Sequence, residues 1–314
     1  MTAESEWLTM SDGNQNMIHK WLPDGEVRGV VVLSHGMAEH ALRYDRFGNL
    51  LAERGIALYA EDHRGHGQTA KLAEEKGTGL FGYLAPKNGF FRVVEDIHEE
   101  IEEAKKRHPG KKVLLFGHSF GSFISQCFLE TYGSTIDACI LCGSAGPRPA
   151  LMKSAKVVGS VVKAFSNPKK PSKFLDNLAF GAYNKQYENP RTAFDWLSRD
   201  TEQVDKYIAD AWCGFTCTTG FFCDMFAGLC YIHTKEHMAQ IPKELPVHII
   251  AGTKDPVGNN GESVKKLYDT YCANGMKNVD LKLWEDCRHE LLNETNKEEI
   301  EADILAFADR IFVA

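Results

Sequence analysis

The chain has no apolar run near the roughly 18 residues that a membrane-spanning helix requires. Its first residues, Met1 to Trp7, carry Glu4 and Glu6 and no basic residue. A secretory signal starts basic and continues through about 7–15 apolar residues, so none is expected. The last residues, Phe312-Val313-Ala314, form no prenylation box or retention tetrapeptide. A basic surplus is also missing: 43 Asp and Glu face 36 Lys and Arg, a net charge of −7. That excludes a protein built mainly to grip nucleic acid, which needs cations for the phosphates. Repeats and low-complexity tracts are absent. Nine cysteines is an odd number in a chain without an export signal. They predict reduced thiols in a cytoplasmic protein rather than a disulfide framework.

What is present is a rhythm of short β-branched runs and longer helical stretches, which predicts an α/β fold with a mostly parallel sheet. Gly29 to Ser34 reads as a central strand, apolar without alternation. Ile56–Glu61, Val113–Phe116, Ala138–Leu141, Val247–Ile250 and Val279–Leu283 read as further strands. Helices are expected over 43–54, 90–107, 119–132, 262–273 and 297–311. From Gly146 to about Gln240 no short apolar strand occurs, and the pattern is helical. The expected organisation is therefore a discontinuous core, 1–146 and 241–314, with residues 147–240 inserted as a helical cap. The cap is expected over the sheet's C-terminal edge, where ligands bind in such folds.

Gly117-His118-Ser119-Phe120-Gly121 is a G-x-S-x-G motif between a predicted strand and helix, the setting that makes it a nucleophile turn. Ser119 is the expected nucleophile. The helix behind it contributes a positive dipole end. Two backbone N–H donors are needed for the oxyanion. One is expected from Phe120, the other from Met37 in the loop after the first central strand. In this architecture the order is Ser, acid, His. His289 follows the last strand and is the expected base. His248 lies inside a strand, and His233 and His237 fall in the cap. Asp255, after the strand 247–250, is the expected orienting acid; Asp286, three residues before His289, is the competitor.

Together, His35-Gly36-x-x-Glu39-His40-x-x-Arg43-Tyr44, Asp62-x-x-Gly65-His66-Gly67, Gly117-His118-Ser119-x-Gly121, Asp255-Pro256-Val257-Gly258 and Arg288-His289-Glu290 resemble the monoacylglycerol lipase and lysophospholipase branch of the α/β-hydrolases. The resemblance spans almost the whole chain outside the cap. It implies a serine esterase on single-chain lipid esters, with no metal or organic cofactor. It also implies that Glu39, Arg43 and His118 bind a glycerol-like head group. A carboxylate and a guanidinium can jointly bind a diol; equally, Glu39 and Arg43, four apart, can pair and pin their own loop. The chain departs from the family at Met37, where a small residue is usual, at Gln68-Thr69, and throughout the cap. Alternatives in the same chemistry are a short-chain carboxylesterase, a thioesterase and a proline-iminopeptidase-like aminopeptidase, for which Glu188, Asp195 or Glu202 would receive the substrate amine. The alternative of another class is a catalytically silent binding protein.

Other features read as structural. Asp62 to Gly67 is expected to hydrogen-bond its own turn rather than hold a metal. Cys139 and Cys142, three apart on a strand, should face opposite sides. Cys213, Cys217, Cys223 and Cys230 should act as small buried hydrophobes. From Arg148 to Lys173 there are seven basic residues and no acidic one. Leu151, Ala155, Val158, Val162 and Phe165 fall there at helical spacing, with Lys153, Lys156 and Lys163 on other faces. This predicts a basic amphipathic helix that contacts anionic lipid surfaces.

Overall fold

The computed structural model describes residues 3–313. Met1, Thr2 and Ala314, which enter the readings of the chain ends and of the core boundaries, lie outside the described residues. Eight strands form one sheet: β1 (Glu4–Thr9), β2 (Gln15–Trp21), β3 (Gly29–Ser34), β4 (Ile56–Glu61), β5 (Val113–His118), β6 (Ala138–Cys142), β7 (Val247–Gly252) and β8 (Val279–Trp284). Their order is β1-β2-β4-β3-β5-β6-β7-β8. The first two pairings, β1 with β2 and β2 with β4, are antiparallel, and the rest are parallel.

The parallel centre is buried on both faces, which is why it reads as unbroken apolar sequence. Side chains alternate between two cores. Val30, Val32, Val113 and Leu115 pack on one face, and Val31, Leu33, Leu114 and Phe116 on the other. Cys139 and Cys142 divide between the faces as expected. Each fully buried Val, Leu or Phe contributes about 1.5–3 kcal/mol of transfer free energy.

Helices cover both faces. α1 (Asp45–Glu53) and the C-terminal helix (Lys297–Val313) close one. α2 (Gly67–Glu75) follows β4, then α3 (Gly89–Arg107) and α4 (Phe120–Thr131). α3 and α4 pack on the opposite face, with Phe90, Val93, Ile97 and Ile124 buried. Between β6 and β7 come α5 (Pro149–Phe165), α6 (Lys173–Phe180), α7 (Thr201–Ala209), α8 (Thr219–Tyr231) and α9 (Lys235–Met238), before α10 (Glu262–Ala273) and α11 (Lys297–Val313). Four of the inserted helices start at side-chain caps, α9 at Thr234, which accepts from the His237 N–H. Ser172, Asp200 and Thr218 accept from the N–H groups of Leu175, Glu202 and Phe221, each worth about 1 kcal/mol.

β1, β2 and α2 were not expected from the sequence. β1 is an exposed edge strand, and both strands mix charged and apolar residues, so no continuous apolar run marks them. α5 also differs from its predicted face. Met152, Ala155, Val158 and Val162 pack against the core, whereas Leu151 and Phe165 are exposed, as are Val157 and Val161. Among the described residues, no helix is long and apolar enough to cross a membrane.

Candidate active site

Ser119 stands between β5 and α4 with φ 53° and ψ −118°. A non-glycine residue held there carries about 1–3 kcal/mol of strain. The turn is held by the Ser119 N–H, which donates to the Cys142 carbonyl at 3.0 Å. The flanking glycines are sterically required. A Cβ on Gly121 would overlap the Ser34 carbonyl, and one on Gly117 would overlap Ser125 Oγ and the Gly121 carbonyl. The loop after β3 also passes close: a Cβ on Gly36 would lie 3.3 Å from the Ser119 Cβ.

His289 Nδ1 and Asp255 Oδ2 are hydrogen-bonded at 3.0 Å, and both residues are buried. Asp255 also receives the Val257 N–H at 2.9 Å, which orients its carboxylate. Asp286 does not take this place. Its N–H donates to Thr253 Oγ1, and its φ is 58°. The His289 ring lies between His118 and Trp196, with centroids 4.8 and 5.1 Å away. Burial opposes charging of His289, but Asp255, Glu290 and Glu39 outweigh it and raise the imidazole above its ordinary value. His118 is pushed the other way, to about 4, by burial and then by His289. One imidazole is thus biased toward accepting a proton and its neighbour toward remaining neutral.

A cavity of about 510 Å³ contains Ser119 and His289, together with Met37 and Phe120. Phe120 opens α4, where N–H groups have no intrahelical acceptor. The walls are apolar, with Met152, Ala155 and Val158 from α5, Phe180 from α6, and Met225, Phe226 and Leu229 from α8. Leu151 and Leu178 line it while more than half exposed, which puts them at its mouth.

The three residues tied by resemblance to a head group separate. Glu39 and His118 line the cavity, whereas Arg43 does not. Arg43 donates to Glu39 at 2.6 Å and to both oxygens of Glu290 at 2.7 and 2.8 Å. Its guanidinium also lies 4.8 Å from the centroid of the Tyr207 ring. Glu39 further accepts from the Gly36 N–H and the Tyr44 hydroxyl. Of the two readings open for Arg43, these contacts show it pinning its loop. Burial works against ionisation of Glu290, yet Arg43 draws its carboxyl down to about 2.

Several contributors had no signal in the sequence. Tyr207 donates to the Ala38 carbonyl at 3.0 Å, and the Gly214 N–H reaches the same oxygen at 2.9 Å. The segment bearing His289 is bonded to the inserted region: the Glu290 N–H donates to the Leu197 carbonyl, and Arg288 to the carbonyls of Asp195 and Ser198. These contacts join residues about 90 or more apart. Of the other histidines after Ser119, His248 bonds Asp303, His237 stacks on Tyr231, and His233 lines the cavity wall. The Asp62–Gly67 turn is internally bonded, with Asp62 accepting from the Ala41 and Gln68 N–H groups.

A family profile described as serine aminopeptidase, S33, matches residues 25–296. The chain belongs to this hydrolase family. It is 29% identical over 297 residues to the monoacylglycerol lipase of Mycolicibacterium smegmatis, covering 91% of this chain and 90% of that one. It is 26% identical over 290 residues to the monoglyceride lipase of Mus musculus, covering 91% and 84%. Among solved structures, a thermostable carboxyl esterase from Bacillus coagulans in complex with glycerol superposes with a TM-score of 0.89, 27% identity and 99% of each chain covered. The expected α/β-hydrolase fold, the expected family branch and the expected carboxylic ester hydrolase class are borne out by these relatives.

Proposed function

We propose that the protein hydrolyses carboxylic esters of single-chain lipids, monoacylglycerols first and lysophospholipids second, through an acyl-enzyme. His289 accepts the Ser119 proton as Ser119 Oγ attacks the ester carbonyl. The Phe120 and Met37 N–H groups receive the oxyanion, and Asp255 holds the imidazole tautomer and supports its charge. His289 then protonates the departing glycerol oxygen and activates the water that releases the fatty acid. Residues 147–240 act as a cap on a core of 1–146 and 241–314. His118 and Glu39 meet the head group.

The observation that carries this reading is the apolar cavity around Ser119. An acyl chain needs a long dry wall, and α5, α6 and α8 supply one. An aminopeptidase would need an unengaged carboxylate for the substrate amine. The acids lining the cavity are Glu39, Glu290 and Asp176. Arg43 already occupies the first two, and burial works against ionisation of Asp176, which a substrate amine would require. Glu188, Asp195 and Glu202 are not among the lining residues. The nine free cysteines favour a reducing, cytoplasmic setting.

The outer side of α5 supports a lipid-surface contact. Val157, Val161 and Phe165 are exposed beside Lys153, Lys156 and Lys163, and Phe174 and Leu178 add exposed apolar area from α6. Placed at the cavity mouth, such a surface would deliver an amphiphile directly to Ser119.

The deciding experiment labels the protein with a fluorophosphonate and compares p-nitrophenyl esters of increasing chain length with monoacylglycerol, lysophosphatidylcholine and proline p-nitroanilide. Labelling should vanish in Ser119→Ala. Turnover should favour monoacylglycerol, and the anilide should not be cleaved. No labelling would make the protein a binder, and preferred cleavage of the anilide would make it a peptidase.

A further inference from the structure

Three side chains with metal-binding chemistry meet outside the catalytic set: His40, Asp210 and Cys213. One ligand atom from each lies within 4.8 Å of the other two. His40 belongs to the loop that carries Met37 and Glu39, and the other two follow α7. His40 Nε2 and Asp210 Oδ2 are 2.8 Å apart. A tight turn brings Cys213 back, its N–H donating to the Asp210 carbonyl at 3.1 Å, while the Trp212 N–H donates to Asp210 Oδ1 at 2.8 Å. The Trp212 ring packs edge-on against His40. His40 is buried, with its Nδ1 unpartnered among the described residues. Asp210 and Cys213 are half-exposed, which leaves a path from solvent.

We propose that these residues form a binding site for a borderline-soft divalent cation of the zinc type, with water as fourth ligand. One imidazole, one thiolate and one carboxylate are the donors such an ion selects, whereas calcium and magnesium want oxygen alone. Bonds of about 2.0–2.3 Å in a tetrahedron put ligand atoms about 3.3–3.8 Å apart, so the present spacing needs an adjustment of only about 1 Å. On binding, the thiol proton leaves to solvent, Asp210 coordinates as carboxylate, and the His40 proton shifts to the unpartnered Nδ1. The ion then bridges the oxyanion loop to the segment after α7, beside the two existing bonds to the Ala38 carbonyl. It acts as a clamp between cap and core, not as a participant in ester hydrolysis.

The test titrates chelator-treated full-length protein with Co²⁺ and then Zn²⁺. One equivalent of Co²⁺ should bind with a near-ultraviolet thiolate charge-transfer band that Zn²⁺ abolishes, and Zn²⁺ should raise Tm. Cys213→Ser should lose the band and Asp210→Asn should bind at least tenfold more weakly, both keeping metal-free p-nitrophenyl ester turnover. Cys272→Ser, at the exposed cysteine, should keep the band. In the unsubstituted protein, Zn²⁺ should protect Cys213 from iodoacetamide, read by peptide mass, which serves if a variant fails to fold. An unchanged band in Cys213→Ser, or no band, no Tm shift and no protection in the parent, overturns the site.

Discussion

Arg43 grips Glu290 through two parallel hydrogen bonds, and Glu290 is the residue that follows His289. The pair ties the loop after β3 to the loop after β8, so the segment carrying Met37 and the segment carrying His289 share one buried fastening. Breaking one partner of such a pair typically costs about 3–5 kcal/mol. Because Arg43 keeps Glu39, Glu290→Gln should lose about 2–3 kcal/mol in urea unfolding at pH 7. The sign with pH follows from the depressed carboxyl. Its contribution is complete above the unfolded value near 4.5 and is lost as pH falls toward about 2. The variant and the parent should therefore converge in stability across that acid window.

The rate profile should report His289. The base works when neutral, and its raised value places the acid limb of kcat/KM above pH 6.5. Glu290→Gln removes one of the charges that raise it, so the limb should move to lower pH. For stability the sign is opposite to that of Glu290: the charged His289 stabilises the fold below its unfolded value, and this is lost as pH rises through the raised one. Asp255→Asn should reduce kcat about 10⁴-fold with the fold intact by circular dichroism. A limb that stays put in Glu290→Gln would contradict the assigned coupling.

Gly121→Ala should be among the most damaging single-methyl changes in the chain. The new Cβ meets the Ser34 backbone, which has no flexible end to yield. A loss of about 3 kcal/mol or more is expected, measured by thermal melting. Gly110→Ala meets nothing within 4 Å but takes a positive φ of 76°. It should lose only the backbone term, about 1 kcal/mol.

Reversing Lys153, Lys156 and Lys163 to Glu should weaken binding to phosphatidylserine vesicles. Each lysine near an anionic surface contributes about 1 kcal/mol, so roughly 100-fold or more should be lost, and the effect should shrink at high salt. Co-sedimentation reads this directly. A parent protein that ignores anionic vesicles would end the idea.

The sequence disclosed the sheet where burial was complete. β3, β5 and β7 are two-sided apolar strands, and Ser119, Asp255 and His289 emerge from turns at their ends or beside them. β1 was hidden because an edge strand with a wet face carries Glu4 and Glu6 among its apolar residues, and β2 because it is buried yet polar in sequence, with Gln15, Asn16, His19 and Lys20. Arg43 was visible as a residue but not in its task, since its partner Glu290 lies 247 positions away. Periodicity found α5 but turned it slightly, because Leu151 and Phe165, counted in its apolar stripe, are exposed and Met152 packs inward instead. Tyr207 and Trp196 could not be singled out among the aromatics of the inserted region without knowing what they touch.

The bonds from Glu290 and Arg288 to Leu197, Asp195 and Ser198 bear on how such enzymes can be rebuilt. The inserted region is not a detachable cover, because the stretch 195–198 is part of the seat of the histidine loop. A chimera that exchanges all of 147–240 to alter chain-length preference would import a foreign support for the His289 loop. One that exchanges only α5, α6 and α8, leaving 195–198 native, would vary the tunnel while keeping its chemistry in register.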